Sequence, residues 1–347
     1  MRRERKARII DIAHEANVST ATVDRVLNNR EGVGWATTER VKRAINNLAA
    51  RGPSHSRAAQ QGRRYAFDVI LPAEAGPSTE ALSTSFRDAG LESQVEVICS
   101  FVEKMNPIAL AAKLMECAER GSSGLAFQAL DHPEVRNTVT WLATQGMPTL
   151  ALMSNLHGSE IIDYVGMDNR AAGRTAGQLM GRFLRSPGKV AVLWGGQLYC
   201  SHEEREMGFR SVLRSEYPQY EVLDLVSGRD DSENNYAQIN AVLEERKDLV
   251  GIYNVGGGTR GIVQALTEHK RDREIIFVGH NLTERTQRYL LDGSMDVVIH
   301  QDMRTAANKA VTALIDFCER RTVSVERLPV QVVIKENLQD WTPSSEE

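Results

Sequence analysis

Cysteine is scarce in this chain and never paired for chemistry. Cys99, Cys117, Cys200 and Cys318 are scattered, with no C-x-x-C, which argues against a zinc site and against a disulfide framework. A reducing compartment, the cytoplasm, is the expected location. No apolar run approaches the ~20 residues of a membrane helix, so no membrane partner is expected. The basic start from Arg2 to Arg8 is followed only by Ile9 and Ile10 before Asp11, which does not read as a secretory signal. There is no G-x-S-x-G, no H-E-x-x-H and no paired-carboxylate motif, and the eight histidines lack metal-ligand spacing. These absences predict no enzyme, no metal and no cofactor.

What is present is a charge asymmetry. Residues 1–64 hold 14 lysines and arginines against 6 acids, whereas the remaining residues hold 28 against 40. A net charge of +8 on a short head, followed by a body of −12, is the footprint of a nucleic-acid binder. The head also has a core pattern of its own. Ile9, Ile12, Ala13 and Ala16 fall at helical spacing, as do Val23, Val26 and Leu27, and then Val41, Ala44, Ile45 and Leu48. Three helices this short must share one core.

Between the first two, Asn17 suits a left-handed turn and Ser19 suits the N-cap of a helix running from about Thr20 to Asn28. Helix, tight turn and capped helix form a helix-turn-helix. Its second helix enters a major groove N-terminus first, with Thr20 and Ala21 nearest the base edges. Arg25 reaches a guanine edge or a phosphate, and Ser19, Thr22 and Asn28 suit phosphate contacts.

The run from Asp11 to Asn28, D-I-A-H-E-A-N-V-S-T-A-T-V-D-R-V-L-N, resembles the head of the LacI/GalR family of transcription factors, and the likeness continues without a gap from Thr37 to Leu48. In that family the equivalents of Thr20, Ala21 and Arg25 read bases. Asn17 and Asp24 replace a usual Gly and Ser. Arg8, counted with the DNA-binding set, stands where a capping Thr or Ser is usual. The resemblance also implies a hinge helix with a leucine that wedges into the minor groove. Counted from Pro53, that position is Gln60, so the wedge is missing and little operator kinking is expected.

From Phe67 onward, ten short apolar runs alternate with amphipathic helical stretches, which predicts parallel sheets covered on both faces. Ten strands exceed one comfortable core. Two lobes of about five strands divide near Ser186-Pro187-Gly188. The expected architecture is an all-α helix-turn-helix head followed by α/β, two doubly wound parallel sheets. The expected domains are a head at 1–50, a hinge at 51–65 and a body at 66–341. One lobe takes 66–186 and 303–325, and the other takes 187–300 and 328–341.

Ligands in such sheets sit beyond the carboxyl ends of the strands. The polar residues there are Asp168-Asn169, Asn254, His280-Asn281 and Gln301-Asp302. Arg205 joins them, with Asp168 and Arg205 expected on opposing lobes. Val165 to Gly173 resembles the family's V-x-x-D-N-x-x-x-G, and Arg205 with Gly208-Phe209 resembles its R-x-x-G-[FW]. The resemblance implies a body like the type I, ribose-type periplasmic binding proteins and an effector held by Asp168, Arg205, Asn254, Asn281 and Gln301. The partners implied are double-stranded operator DNA, a sugar, polyol or sugar derivative, and a second copy in a homodimer.

Two other readings remain. Gly256-Gly-Gly-Thr-Arg-Gly261 satisfies G-x-G-x-x-G after a strand and opens a helix, as in a dinucleotide-binding oxidoreductase. A transport-type sugar-binding protein is the other, opposed by the basic head. His202 and His280 fall near the cleft, and a surface or capping histidine is the plainer expectation for His202.

Overall fold

The computed structural model describes residues 13, 16, 18–27, 33, 37–38, 40–42, 64–224 and 228–338. Arg8, Asn28, Gln60 and the segment 54–61, open between a hinge helix and a flexible linker, lie outside the described residues. The chain divides into two compact units, Met1–Gln61 and Gly62–Glu347.

In the head, helix α1 spans Thr20–Leu27. Ser19 starts it: its carbonyl accepts from the Thr22 and Val23 amides, and its hydroxyl also accepts from the Thr22 amide at 3.2 Å. The Val18 amide donates to Ala13 O at 2.9 Å, the six-to-one bond that closes a helix end before a turn. Val23 and Val41 are fully buried with Ala13 and Ala16, and Val18 and Val26 pack against them. Eight residues cannot hold a helix alone, so this shared core stabilises it.

The body begins with β1 (Ala66–Pro72), followed by α2 (Pro77–Glu92), β2 (Glu96–Val102), α3 (Pro107–Glu119), β3 (Gly124–Phe127), α4 (Pro133–Thr144), β4 (Thr149–Leu152) and β5 (Asp163–Val165). These five strands form one parallel sheet in the order β2-β1-β3-β4-β5. Every residue of β1 is buried, and its neighbours in sequence face different cores: Phe67, Val69 and Leu71 join one, and Ile70 joins another. Burial on both faces is why the strand reads as a continuous apolar run.

Next come α5 (Asn169–Phe183), β6 (Gly188–Leu193), α6 (Cys200–Glu216), β7 (Tyr220–Asp224), α7 (Ser232–Glu245), β8 (Leu249–Asn254), α8 (Thr259–Glu268), β9 (Ile276–His280), α9 (Glu284–Asp292), β10 (Val297–His300), α10 (Met303–Cys318) and β11 (Gln331–Val333). The second sheet has the order β11-β10-β9-β8-β6-β7. All of its pairings are parallel except β10 with β11. Strand β11 is three residues long and was not among the ten apolar runs.

The division between lobes differs from the expected one near Pro187. Helix α5 packs along α6 so closely that a Cβ on Gly173 would lie 2.0 Å from Arg205 O, and one on Gly208 would lie 2.3 Å from Arg170 O. Further along α5, Met180 lies against Gly251 of β8. Helix α5 therefore belongs with the second sheet, and the chain first crosses at 166–168. It crosses back at 301–302, and α10 packs on α2 of the first lobe. It crosses a third time before β11. The three crossings are stitched together. Met167 N donates to Gln301 Oε1 at 3.1 Å, Leu328 N donates to Gly166 O at 3.0 Å, and Met167 forms a bridge with Leu328.

Candidate functional site

The carboxyl ends of both sheets open onto a cleft of about 350 Å³. That volume is at the small end of ligand pockets, ~300–1,000 Å³. Its lining comes from both lobes: the β1–α2 turn around Gly76, Lys104 and Gln128 from the first, and the ends of β6, β8 and β9 from the second. The lobes also touch across it. Lys104 Nζ donates to Asp230 O at 3.4 Å, and Asp131 N donates to Leu198 O at 2.8 Å.

Arg205 is the central feature. It is 4% exposed, lines the cleft, and rises from α6 between α5 and the β8 turn. Its Nε donates to Asn169 Oδ1 at 2.8 Å and its Nη1 to Val255 O at 2.7 Å. Asn169 Nδ2 in turn donates to Tyr164 Oη at 3.0 Å, and that hydroxyl donates to the Met153 and Met167 carbonyls. The chain of bonds runs from the first sheet through the crossover into the second. Its hydrogen-bond partners among the described residues are all neutral, and burial lowers its pKa. A buried charge without an opposite partner is costly.

Beside it, Tyr253 Oη lies 2.8 Å from His280 Nε2. Burial raises the Tyr253 pKa and lowers that of His280 well below the usual imidazole value, with Arg205 and His202 adding to the latter. The phenol has no other partner among the described residues, so its proton goes to Nε2 and the neutral ring carries its own proton on Nδ1. That Nδ1 is buried and unpartnered. So is Oδ1 of Asn281, a residue at φ 68, where asparagine is tolerated better than most. One free donor and one free acceptor on adjacent residues match the two needs of a hydroxyl group.

Three of the five sequence-predicted effector residues line this cleft: Arg205, Asn281 and Gln301. Gln301 has a second task, since its Oε1 holds the Met167 crossover. The other two are elsewhere. Asp168 is exposed and caps α5, accepting from Ala171 N at 2.8 Å. It shares the second lobe with Arg205 through α5, so the expected pairing across the lobes does not occur. Its neighbour Asn169 makes the contact with Arg205 instead. Asn254 is spent holding the glycine turn, donating to Gly256 O, Gly257 O and Thr259 Oγ1.

The glycines of that turn are explained by packing. A Cβ on Gly256 would meet Asp230 Oδ1 at 2.1 Å, and one on Gly261 would meet Ser232 O at 1.8 Å. The turn is pressed against its neighbouring loop, and Gly257 N donates to Asp230 Oδ1 at 2.8 Å.

Sequence reasoning missed Asp230 and Lys104. Asp230 follows Arg229, both at positive φ (54° and 52°), a strained pair of the sort found at functional sites. Its Oδ2 faces His202 Nε2 at 3.8 Å. His202 is buried rather than on the surface, and its Nδ1 accepts from Gly195 N at 3.2 Å. Nothing in the residue pattern marked Lys104, because its role depends on the opposite lobe.

His202, His280 and His300 all have lowered pKa values, burial being the largest cause in each. The unfolded chain takes up protons at about pH 6.5, where the folded chain refuses them. Stability is therefore full above pH 6.5 and falls as the pH drops towards 5. The slope is about 1.4 kcal/mol per pH unit for each fully protected histidine. Thermal melts at pH 7.5 and 5.5 should show a lower Tm in acid. An unchanged Tm would mean that these histidines protonate without opening the fold.

In the head, Ser19, Thr20, Ala21 and Arg25 are exposed and Thr22 is half-buried. The Thr22 hydroxyl is held by Ser19 Oγ at 2.8 Å, which fixes both hydroxyls at the start of α1.

Comparisons with known proteins fit both parts. The model for bacterial regulatory proteins of the lacI family matches residues 8–49, and that for a periplasmic binding protein domain matches 67–321. No curated protein matches the chain. Among solved structures, a LacI transcriptional regulator from Bacteroides fragilis is 17% identical with a TM-score of 0.74, covering 81% of this chain and 100% of that one. A glucose-galactose binding protein from Geobacillus stearothermophilus is 18% identical with a TM-score of 0.74, covering 80% and 100%. A solute binding protein of an ABC transporter from Burkholderia graminis, in complex with D-arabinose, is 20% identical with a TM-score of 0.75, covering 81% and 98%. At these identities the structures establish the fold alone.

Proposed function

Given that the chain belongs to the lacI family of bacterial regulatory proteins, with a periplasmic binding protein domain as its body, we propose that it represses transcription from a two-fold operator under the control of a small polar effector. It acts in the cytoplasm as a homodimer, because one head reads half a site and two-fold operators match two-fold proteins. Thr20, Ala21 and Arg25 read bases, while Ser19 and Thr22 meet phosphates, with Arg8 and Asn28 completing the set. The effector, a sugar, polyol or sugar derivative, binds Arg205, Asn281 and Gln301. Asp168 and Asn254 drop out of that set, since one caps a helix and the other ties a turn.

The observation that carries this reading is the double engagement of Gln301. It lines the cleft and also holds the crossover at Met167. A ligand gripping it acts directly on the strands about which the lobes move. Linkage then couples effector affinity and DNA affinity reciprocally.

Selection of duplexes by the full chain from a randomised pool tests the reading. A near-palindromic consensus whose affinity changes with effector is expected. Recovery of no specific duplex under any effector condition would overturn it. With Gln60 in place of a wedging leucine, circular-permutation gel shifts should give an operator bend below about 20°, the lower end of what inserted side chains impose. A sharp bend would assign the wedge to another hinge residue.

A further inference from the structure

The first lobe gives the cleft one acid and one base, Glu74 and Lys104, whereas the charges from the second lobe are sorted. Along the second sheet, the acids sit at the β7 edge: Asp230 and Asp231 in the β7–α7 loop, and Glu233 on α7. The arginines lie further in: Arg205 on α6 beyond β6, Arg260 on α8 beyond β8, and Arg285 on α9 beyond β9. The two signs differ in what they are free to do. Asp231 is occupied by the Glu233 and Asn234 amides, which it caps at 3.0 and 2.9 Å. Asp230 is occupied by Gly257 N and faces His202. The arginines have no carboxylate within ion-pair distance among the described residues. Arg205 is buried with neutral partners only. Arg260 and Arg285 are exposed on the rim.

The backbone adds to this polarity. Helices α2, α6 and α8 begin on the cleft, with first-turn residues in its lining, and none is capped by the side chain of its own N-cap residue, although the Ser201 amide of α6 donates to Ser154 Oγ at 3.3 Å. Helices α3, α4, α5, α7, α9 and α10 all have one. Uncapped amides favour a negative group. Helix ends alone would say little, but here they surround a nine-tenths-buried guanidinium and an imidazole with an unpartnered Nδ1. In the same lining His280 and Asn281 offer one donor and one acceptor for a hydroxyl.

We propose that the effector is a polyhydroxylated acid of monosaccharide size, its oxyanion set among Arg205, Arg260 and Arg285 and its hydroxyls meeting His280 and Asn281. The proposal rests on the cleft being the effector site, and narrows the ligand from any sugar derivative to one with a carboxylate or a phosphate. The anion completes the buried guanidinium, which has no ion-pair partner among the described residues. The rim arginines draw the acid in, so association is faster at low salt.

The test uses the full chain without DNA, so that its outcome is independent of any operator, with the ligands compared at one ionic strength and the acids then titrated over a salt series. Isothermal titration compares D-gluconate and D-glucuronate as carboxylates, 6-phosphogluconate and glucose 6-phosphate as phosphates, D-glucose and D-glucitol as neutral controls, and inorganic phosphate as the bare anion. At least one polyhydroxylated acid should bind at least ~100-fold more tightly than its neutral counterpart, a difference of about 2.7 kcal/mol. The carboxylate and phosphate arms identify which oxyanion fits. The double variant Arg260→Gln, Arg285→Gln, exposed and so expected to fold, should lose about tenfold in acid affinity and most of its salt dependence. Neutral compounds binding as well as the acids, inorganic phosphate binding as well as the polyhydroxylated acids, or no acid binding at all would each overturn the proposal. So would a double variant with unchanged acid affinity and salt dependence. The regulatory reading fails separately, through the absence of a specific duplex.

Discussion

Arg205→Met is expected to bind the best of the polyhydroxylated acids at least ~100-fold more weakly than the parent chain, about 2.7 kcal/mol at 1.4 kcal/mol per tenfold. The methionine keeps the stem volume between α5 and the β8 turn while removing the charge. It leaves Asn169 Oδ1 and the Val255 carbonyl without the donors they now have, a cost of about 1–3 kcal/mol for each group that finds no other. Against that, a desolvated cation with only neutral partners disappears, which relieves the folded state. The two effects oppose each other, so Tm should change far less than affinity. If Arg205 were only a tie between α5, α6 and the β8 turn, the pattern would reverse: Tm would drop and the folded variant would bind the acid normally. Titration and melting on the same preparation separate the two outcomes.

Arg25→Ala is expected to cost ~1–3 kcal/mol on the specific operator and much less on random duplex. The residue is exposed in the last turn of α1, and the core face of that helix is supplied by Val23 and Val26, so the substitution leaves the head's packing intact. Parallel gel shifts on operator and scrambled DNA over a salt series measure both terms. An equal loss on the two duplexes, with a shallower salt slope, would make Arg25 a phosphate contact instead of a base reader.

The separation of head and body was legible because both signals are local. The head's motif is contiguous from Asp11, and the spacing of Val23, Val26 and Val41 is enough to predict a shared core. The body's strands were legible because parallel strands buried on both faces must be apolar along their length, as β1 is throughout. Strand β11 escaped because three antiparallel edge residues, one of them exposed, leave no such run.

The cleft was legible only in part. Asn281 and Gln301 stand at strand ends, where the sheet topology dictates that ligands sit, and Arg205 lies in a recognisable motif. Sequence could not tell Asp168 from Asn169, since both follow the same strand. A turn of backbone at the first crossover decided that the carboxylate would cap α5 in solvent and the amide would face Arg205. It also could not place α5 with the second lobe. The close approach that put it there is licensed by Gly173 and Gly208, 35 residues apart in the numbering, each meaningful only against the other helix. Composition and periodicity therefore determined the head, the two sheets and the existence of a site between them. Which polar groups are spent on caps and turns, and which are left free for a ligand, was decided by tertiary structure, because a hydrogen-bonding group's availability depends on neighbours that the chain brings from far away.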